Sequence, residues 1–346
     1  MSAERVLVVG AGKRVLADVL PVLERQRELW EIGGVYARSA REVTAGDGSV
    51  HATRPLDQLT AQDVGAARLV FVCVSKPAVP TVLRRLAALG VSGTDLLIDT
   101  PVVLFKHLGH TRHAEAFRNA WVAEDCSRLP WMDTVRAAAE TDALGELREV
   151  VCDRSAWHYH GYAMLKTLLG SDRIASARRR PADAGTARIE VRLGNGRLGA
   201  IIEPRDYATG GFRFVGAAGA LADGPAAQPG DTRIEPIVSD GLCAGFRAGE
   251  VETSLGPGER ALLGPMQAGE TLSARMEDCK RVGLFRMFRD VSEGRGGYPL
   301  SEGLDDMAIS WWLEKLGRFR GNALMSVKAP LGRALMGGAS RLMGGG

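Results

Sequence analysis

Two histidines near the middle of the chain could perform acid–base chemistry. His158 and His160 lie in the stretch "WHYHGYAMLKTLLG" and are two of only six histidines in 346 residues. A histidine side chain exchanges its proton near neutral pH, because its ordinary pKa is about 6.5. In an extended segment the two side chains would project to one face, whereas on a helix they would diverge. The residues alone leave open whether the pair is catalytic or fills space at a domain junction.

A second group of histidines raises the question of a metal site. His107, His110 and His113 recur at every third position in "HLGHTRH". On an α-helix, His107 and His113 would point in different directions, so the three rings would not meet one ion. No carboxylate or cysteine completes a tetrahedral ligand set there. We therefore expect a surface or amphipathic helix at this place, and no bound metal.

A glycine turn follows the first hydrophobic strand. The stretch "VLVVGAGKRV" places Gly10 and Gly12 directly after that strand. In dinucleotide-binding proteins the first glycine allows a tight turn, and the second lets a pyrophosphate approach the backbone at the N-terminus of the next helix. Lys13 and Arg14, which follow the turn, are further candidate cofactor-binding residues. The third glycine of the usual fingerprint is absent, because Val15 stands in its place.

The end of the second predicted strand indicates which dinucleotide binds. Proteins that prefer NAD usually carry Asp or Glu there to hold the ribose hydroxyls, whereas this chain has Arg38 and Ser39. A guanidinium can pair with a 2′-phosphate, and a hydroxyl can add a hydrogen bond. We therefore expect NADP(H) in preference to NAD(H). The alternative is that Arg38 is a solvent-exposed residue in the N-terminal turn of a helix.

Alternating strand and helix patterns occupy the first 125 residues. Short β-rich runs are separated by apolar residues at helical spacing, which predicts βαβ units and a parallel sheet with helices on both faces. The predicted strands are residues 5–9, 31–36, 68–74, 95–98 and 120–123. After about residue 142, period-two alternation predicts antiparallel strands, and Asn195-Gly196 predicts a hairpin turn.

These stretches, taken in order, resemble the Gfo/Idh/MocA family of oxidoreductases, the glucose–fructose oxidoreductase and inositol dehydrogenase type. The resemblance covers roughly residues 4–320 and is carried by "VLVVGAG", "VFVCVSKPAVPTVLRRLAALG", "LLIDTPV", "VAEDCSRLPWMDTVRAAAETDALGELREV", "HYHGYAMLKTLLG" and "LGNGRLGAII". It implies an α/β fold: an N-terminal Rossmann dinucleotide-binding domain and a C-terminal α+β domain on a large open, mostly antiparallel sheet. We expect these domains at residues 1–125 and 126–322, followed by a Gly/Met-rich tail at 323–346.

The resemblance also implies positions for the cofactor and the substrate. Asp125 stands where the family commonly has an asparagine that lines the substrate site. The Thr-Pro turn and the Glu-Lys-Pro motif of the family are matched by Ser75 with Pro77, and by Asp99, Thr100 and Pro101.

Two of the three acid–base groups expected from the family are absent. The motif lysine is Thr100 here, and the aspartate four residues before the histidine is Ala156, whereas His160 is retained. A threonine hydroxyl cannot take over the proton transfer of the lysine, because its pKa lies far above neutral. The candidate replacements, by proximity in sequence, are Lys76 and Lys106, with Tyr159 and Tyr162 as further possible acids at the substrate site.

Composition argues against several other kinds of protein. The formal net charge of +3 is small and the 44 basic residues are spread along the chain, so we expect no nucleic-acid partner. No stretch reaches about 18 consecutive apolar residues, so we expect neither a signal peptide nor a membrane partner. The five cysteines form no CxxC pair and predict reduced core thiols in a cytoplasmic protein. The resemblance adds a homo-oligomer, a dimer or tetramer, formed through the sheet face.

The combined expectation is an NAD(P)-dependent oxidoreductase that prefers NADP. It would transfer hydride to or from a sugar-like or other small hydroxyl or carbonyl compound. His160 would be the main acid–base residue, with His158 and Lys76 as further catalytic candidates. One alternative is a catalytically silent or regulatory relative that binds nucleotide, as the loss of the lysine and aspartate suggests. Another is a different reaction on the same scaffold, such as a lyase or hydrolase reaction that uses the nicotinamide transiently.

Overall fold

The computed structural model describes residues 3–183, 185–266, 269–322 and 324–328, with residues 332, 334–336 and 338. These residues belong to two compact units. The first unit comprises residues 1–124, 284–307 and 330–346, and the second comprises residues 125–283 and 308–329. Most of the predicted Gly/Met-rich tail lies outside the described residues.

The described residues form eighteen strands and eight α-helices. The strands are β1 (Glu4–Val9), β2 (Trp30–Ala37), β3 (Arg41–Thr44), β4 (Val50–Pro55), β5 (Leu69–Val72), β6 (Asp95–Asp99), β7 (Asn119–Ala123), β8 (Glu149–Asp153), β9 (Ile174–Pro181), β10 (Ala187–Leu193), β11 (Leu198–Glu203), β12 (Gly211–Val215), β13 (Ala220–Asp223), β14 (Thr232–Ser239), β15 (Leu242–Ala248), β16 (Val251–Ser254), β17 (Tyr298–Pro299) and β18 (Arg318–Arg320). The helices are α1 (Leu20–Glu24), α2 (Ala61–Gly65), α3 (Val79–Ala88), α4 (Met132–Ala139), α5 (His158–Leu169), α6 (Pro257–Leu263), α7 (Met276–Ser292) and α8 (Leu300–Leu316).

The first unit is built on an eight-stranded sheet in the order β17-β7-β6-β5-β1-β2-β4-β3. The strands from β7 to β4 pair in parallel, and β3 and β17 add antiparallel edges. The central strands are continuously apolar because both faces are covered; all four residues of β5 are buried. The five predicted strands are present. Strands β3 and β4 were not predicted, because their residues are mostly polar and exposed.

The segment 284–307 belongs to the first unit, although the sequence suggested the second. It contributes β17, which pairs with β7, and the buried Phe288, whose ring lies 5.6 Å from that of Phe71. Trp30 donates a hydrogen bond of 3.2 Å to the carbonyl oxygen of Phe288. A late segment that adds a strand to the sheet of the first unit leaves no local pattern in the sequence. The hydrophobic periodicity could therefore not predict this assignment.

The second unit is built on a ten-stranded sheet in the order β16-β15-β14-β13-β12-β8-β11-β10-β9-β18. Its pairs are antiparallel except β8 with β11 and β13 with β14, so the expectation of a mostly antiparallel sheet is confirmed. The predicted hairpin turn joins β10 to β11, with Gly196 at a φ of +87°. The buried Trp131 packs on Phe212 and Phe214 of β12, with ring centroids 4.7 and 5.5 Å apart.

Helix α5 packs directly on β11, and glycine makes this approach possible. A β-carbon on Gly199 would stand 2.6 Å from a methyl carbon of Leu165. A β-carbon on Gly161 would stand 2.5 Å from the Cδ1 atom of Ile201. The absence of these two side chains therefore sets the distance between α5 and the sheet, and with it the position of the histidines at the start of α5. Within the described part of the chain, no helix is long and apolar enough to cross a membrane.

Candidate cofactor and acid–base sites

The turn after β1 requires glycine at its first position. Gly10 has a φ of +129°, and a β-carbon there would stand 1.9 Å from the carbonyl oxygen of Cys73. Gly12 is exposed, and a β-carbon there would meet no atom within 4 Å. The backbone at Gly12 is therefore open to a ligand, at the start of the helical segment that continues into α1. Strand β1 lies between β2 and β5, which makes this turn a switch point of the sheet, where α/β proteins bind their ligands.

Three predicted cofactor-site or catalytic residues meet at the carboxyl ends of β1, β5 and β6. The Nε atom of Arg14 lies 3.7 Å from Oδ1 of Asp99, and Nζ of Lys76 lies 3.6 Å from Oδ2. Lys76 also donates a hydrogen bond of 3.0 Å to the carbonyl oxygen of Asp99. Burial lowers the pKa of Lys76, and the charge of Asp99 opposes that shift. Arg14 also pairs with Asp18, whose Oδ2 lies 2.9 Å from its Nη1 atom, so the two cationic groups of the cluster face two carboxylates.

The other predicted cofactor-binding residues surround this cluster. Lys13, Ser75 and Pro77 are exposed, whereas Thr100 and Pro101 are half-buried and joined by a cis peptide bond. Lys106, the second candidate for the missing lysine, is exposed in the 3₁₀-helix Phe105–Ala116.

Arg38 lies in the turn between β2 and β3. Its side chain is exposed, and no ion pair to another described residue is formed. The backbone beside it is held by Thr53, whose Oγ1 donates a hydrogen bond of 2.8 Å to the carbonyl oxygen of Ser39. A strand follows rather than a helix, so the alternative that placed Arg38 in the first turn of a helix is wrong. The guanidinium is available to a ligand.

In the second unit, α5 begins at His158, and the two histidines consequently diverge. Nε2 of His158 pairs with the carboxylate of Glu203, which also accepts a hydrogen bond of 3.1 Å from Arg179. Burial lowers the pKa of His158, against the opposing effect of Glu203. His158 is therefore a member of an ion-pair cluster at the end of β11.

His160 points into a different, buried cluster. His160 is 4 % exposed and Asp125 is 1 % exposed. One nitrogen or oxygen atom of each, with Sγ of Cys126, lies within 4.8 Å of the others. The ring of Tyr159 lies 4.4 Å from that of His160, centroid to centroid. The structure thus brings together His160, Asp125 and Tyr159. Tyr162 is fully buried, which argues against its predicted contact with a substrate.

Lys280, which lies on α7 beside this cluster, was not predicted as a site residue from the sequence. Its side chain is buried, and Nζ lies 3.5 Å from Oε2 of Glu277. Burial alone would lower the pKa of Lys280, but the negative charge of Asp125 is the largest of the effects that hold it above its usual range. A signal for this residue existed in the sequence, because Lys280 falls within the apolar stripe of an otherwise amphipathic helix, next to the buried Cys279.

Tyr207 lies on the same side of the second unit as Lys280. The guanidinium carbon of Arg205 stands 4.7 Å from the centre of the Tyr207 ring and 4.8 Å from that of Trp157. Burial raises the pKa of Tyr207 to about 12. The phenol therefore stays protonated at neutral pH and can donate a hydrogen bond.

Glu124, Asp125, Cys126 and His160 are donor types that zinc binds, and one ligand atom of each lies within 4.8 Å of the others. The ammonium group of Lys280 interacts with Asp125, and this positive charge opposes a second cation. His107, His110 and His113 lie on a 3₁₀-helix instead of the expected α-helix. The rings of His107 and His110 are 6.0 Å apart, and among the described residues these three histidines form no ligand set.

Comparison with known proteins shows the fold. No protein-family model matches the chain, and no curated protein matches it by sequence. A myo-inositol dehydrogenase from Corynebacterium glutamicum is similar at a TM-score of 0.60 and 13% identity, over 92% of this chain and 99% of that one. Levoglucosan dehydrogenase in complex with NADH is similar at a TM-score of 0.60 and 13% identity, over 90% of this chain and 96% of that one. The super-repressor mutant of Gal80p from Saccharomyces cerevisiae is similar at a TM-score of 0.60 and 9% identity, over 94% of this chain and 98% of that one.

These similarities extend over nearly the whole of each chain. The predicted α/β architecture, a Rossmann domain with a C-terminal sheet domain, is thereby confirmed as the fold that this chain shares with these proteins.

Proposed function

We propose that this protein is an NAD(P)-dependent oxidoreductase that acts on a sugar-like or other small hydroxyl or carbonyl compound. The observation that carries the proposal is the turn at Gly10 and Gly12, which leaves open backbone at the switch point of a parallel sheet. Arg14, Lys76 and Asp99 line the adjacent strand ends. Two similar structures are dehydrogenases of a cyclitol and an anhydrosugar, and one of them holds NADH.

The cofactor we propose is NADP(H), held by the first unit. Gly10, Gly12, Lys13 and Arg14 would hold the pyrophosphate, and the exposed guanidinium of Arg38 would pair with the 2′-phosphate. Ser39, Ser75, Pro77, Asp99, Thr100 and Pro101 would complete the cofactor site. When bound, the nicotinamide supplies the hydride donor or acceptor.

His160 is the proposed acid–base residue, and it would exchange a proton with the substrate hydroxyl or carbonyl oxygen. Its imidazole is held by α5, whose distance from β11 is set by Gly161 and Gly199. Tyr159 would contact the substrate beside it, and Asp125 stands next to the ring. His158 and Lys76 are the weaker catalytic candidates, because each is already engaged by a carboxylate, Glu203 and Asp99 respectively.

A second function is supported by a specific observation. Thr100 and Ala156 replace the lysine and aspartate expected from the family motifs, and a repressor of this fold is among the similar structures. A nucleotide-binding regulator without hydride transfer would retain the first unit's site and need no acid–base group. We also propose a cytoplasmic homo-oligomer formed through the sheet face; the five cysteines are buried and no disulfide joins them, which fits a reducing compartment.

The experiment that tests the oxidoreductase follows the oxidation of NADPH and NADH in the presence of ketohexoses, inososes and sugar lactones. The wild type is compared with His160→Ala and with the control His51→Ala, a histidine of the first unit that contacts Ser49. We expect turnover in the wild type and the control, and at least a 100-fold loss in His160→Ala with cofactor binding retained. Equal turnover in His160→Ala would overturn the role of His160; tight binding without turnover on every compound would favour the regulator.

A further inference from the structure

We propose that the second unit binds a small compound with two or more phosphate groups in a cleft on its ten-stranded sheet. The cleft has a volume of about 830 Å³ and is lined mainly by β9, β10, β11 and β18. None of its residues belongs to the proposed cofactor or acid–base site, so this is a separate binding site. We call it the arginine cleft, because six arginines line it: Arg178, Arg179, Arg188, Arg192, Arg318 and Arg320.

The cleft lies on the face of the sheet that points away from α5. Gly199 and Ile201 of β11 face α5, and neighbouring residues of a strand point to opposite faces, so Ala200 faces the other way. Ala200 stands directly opposite Glu190 of β10, and Glu190 stands directly opposite Arg178 of β9. Residues in directly opposite positions share one face of a sheet. Arg178 and Glu190 therefore point into the cleft.

The register of β9 and β18 places like charges next to each other in the cleft. Arg178 stands directly opposite Arg318, and Ser176 stands between Arg320 and Arg192 in the next row. Like charges in directly opposite positions destabilise a strand pair. The four arginines are exposed, and none forms an ion pair with another residue that the structure describes. Three neighbouring strands thus present four guanidinium groups without a carboxylate partner.

The two glutamates of the cleft are engaged by other arginines. Oε2 of Glu190 lies 3.0 Å from Nε of Arg180, and Oε1 of Glu149 lies 3.6 Å from Nη2 of Arg188. These carboxylates consequently do not balance the charge of the four arginines described above. An anion bound in the cleft would offset the repulsion between those arginines.

Farther along the same face, the arginines are paired with acids. Nε of Arg213 lies 2.8 Å from Oδ2 of Asp231, and Nη2 of Arg247 lies 3.0 Å from Oε2 of Glu235. The unbalanced charge is therefore local to the arginine cleft. Because the same arginines of a second copy would be repelled, the occupant we assign is a small anion and not another chain. The balanced part of the face is left for the oligomer proposed above.

The spacing of the arginines favours joined phosphate groups. A guanidinium presents paired N–H donors that match two oxygens of a phosphate, and such charge-assisted hydrogen bonds are stronger than neutral ones. Neighbouring strands lie about 4.8 Å apart, and alternate residues of one strand lie about 7 Å apart. A ligand with several linked phosphates can therefore reach guanidinium groups of different strands, whereas a single carboxylate would engage one or two of them.

The test is isothermal titration calorimetry of the full chain with inorganic triphosphate at constant ionic strength, with and without saturating NADPH. We expect saturable binding under both conditions, at least 10-fold tighter than that of orthophosphate. In Arg178→Gln combined with Arg318→Gln, the affinity should fall at least 10-fold. The matched control, Arg233→Gln combined with Arg247→Gln, removes two charges from the same face outside the cleft and should stay within twofold of the wild type.

Thermal unfolding provides a second readout. Triphosphate should raise the melting temperature of the wild type and of the control, and should leave that of Arg178→Gln combined with Arg318→Gln unchanged. No saturable binding to the wild type would overturn the proposal. An equal loss of affinity in the two double variants would show a general charge effect only and would also overturn it.

The cofactor turn of the first unit is the competing place for triphosphate. A loss of affinity in Arg38→Ala as large as that in the cleft variant would assign the triphosphate to that turn and contradict the proposal. If the cleft variant does not fold, Arg320→Gln decides alone: we expect at least a threefold loss, and an unchanged affinity would refute the site. Binding is measured without substrate, so failure here is distinguishable from failure of the oxidoreductase proposal, which is tested by turnover.

Discussion

The backbone of Gly283 lies directly against Asp125: a β-carbon at position 283 would stand 2.2 Å from the Asp125 carbonyl oxygen. That oxygen belongs to the backbone and cannot rotate away as a flexible side chain can. A side chain at position 283 must therefore displace either α7 or the turn that carries Asp125. The contact links the lysine on α7 to the carboxylate beside His160.

Gly283→Ala should destabilise the protein by about 1–3 kcal/mol, because overpacking against backbone forces such a shift. The free energy of unfolding is measured by urea denaturation. The matched control is Gly65→Ala at the end of α2, where a β-carbon would meet no atom within 4 Å. There the free energy of unfolding should stay constant or rise by up to about 1 kcal/mol. Equal effects at the two positions would contradict the close contact.

Arg38→Ala should weaken NADPH binding about 10–100-fold and leave NADH binding unchanged, because a charge-assisted hydrogen bond to the 2′-phosphate contributes about 1.5–3 kcal/mol. Both affinities are measured by fluorescence titration. Arg84→Ala, an exposed arginine on α3, serves as the control for loss of one surface charge. Identical NADPH affinity in wild type and Arg38→Ala would refute the assignment of Arg38.

Asp223 should make the protein less stable as the pH rises. Burial raises the pKa of Asp223 to about 6, although its carboxylate accepts a hydrogen bond of 2.9 Å from the Leu272 amide. A carboxyl whose pKa is higher in the folded state than in the unfolded state contributes stability at low pH, and this contribution is lost as the pH rises through the folded-state value. Between pH 5 and pH 8 the loss is about 1 kcal/mol.

The measurement is urea unfolding at pH 5 and pH 8 for the wild type and for Asp223→Asn. The variant keeps an oxygen to accept the Leu272 hydrogen bond and has no titrating carboxyl. Between pH 5 and pH 8, the free energy of unfolding should fall by about 1 kcal/mol more in the wild type than in Asp223→Asn. The same pH dependence in both proteins would show that Asp223 does not titrate in this range.

The purified protein should contain no stoichiometric zinc. Glu124, Asp125, Cys126 and His160 offer suitable donor atoms, but the buried ammonium group of Lys280 interacts with Asp125 and repels a dication. Elemental analysis after purification without chelator provides the measurement, with Cys126→Ser as the comparison. One equivalent of zinc in the wild type, lost in Cys126→Ser, would assign His160 to metal binding and remove it as the proton-transfer group.

The fold of the first unit could largely be predicted from the sequence, whereas the cluster around His160 in the second unit could not. The strand runs before Gly10 and Ser75 are continuously apolar, and glycine marks the turn after β1, so local pattern and chemistry agree. The cluster at His160 depends on residues more than 100 positions apart. Lys280 comes next to Asp125 only through packing between α7 and the 3₁₀-helix after β7, and no periodicity records that contact.

The same limit explains the two histidines. From their spacing, the side chains of His158 and His160 could share one face of an extended segment or diverge on a helix. Which of the two holds depends on where α5 begins. Because the helix starts at His158, the side chain of His158 pairs with Glu203 on the sheet, and the side chain of His160 lies beside Asp125. No preferred N-cap residue precedes His158, since the position before it is Trp157, so local sequence did not mark this start.

The central claim is that this chain transfers hydride, and isotope transfer tests it most directly. The protein is incubated with [4-²H]NADPH, prepared separately in each of its two stereochemical forms, and with the ketohexoses, inososes and sugar lactones named above. Products are analysed by mass spectrometry. We predict that one form alone delivers deuterium to the former carbonyl carbon of at least one compound, at a rate that falls at least 100-fold in His160→Ala. Saturating NADPH binding with no deuterium in any product would contradict the account and favour a regulatory role.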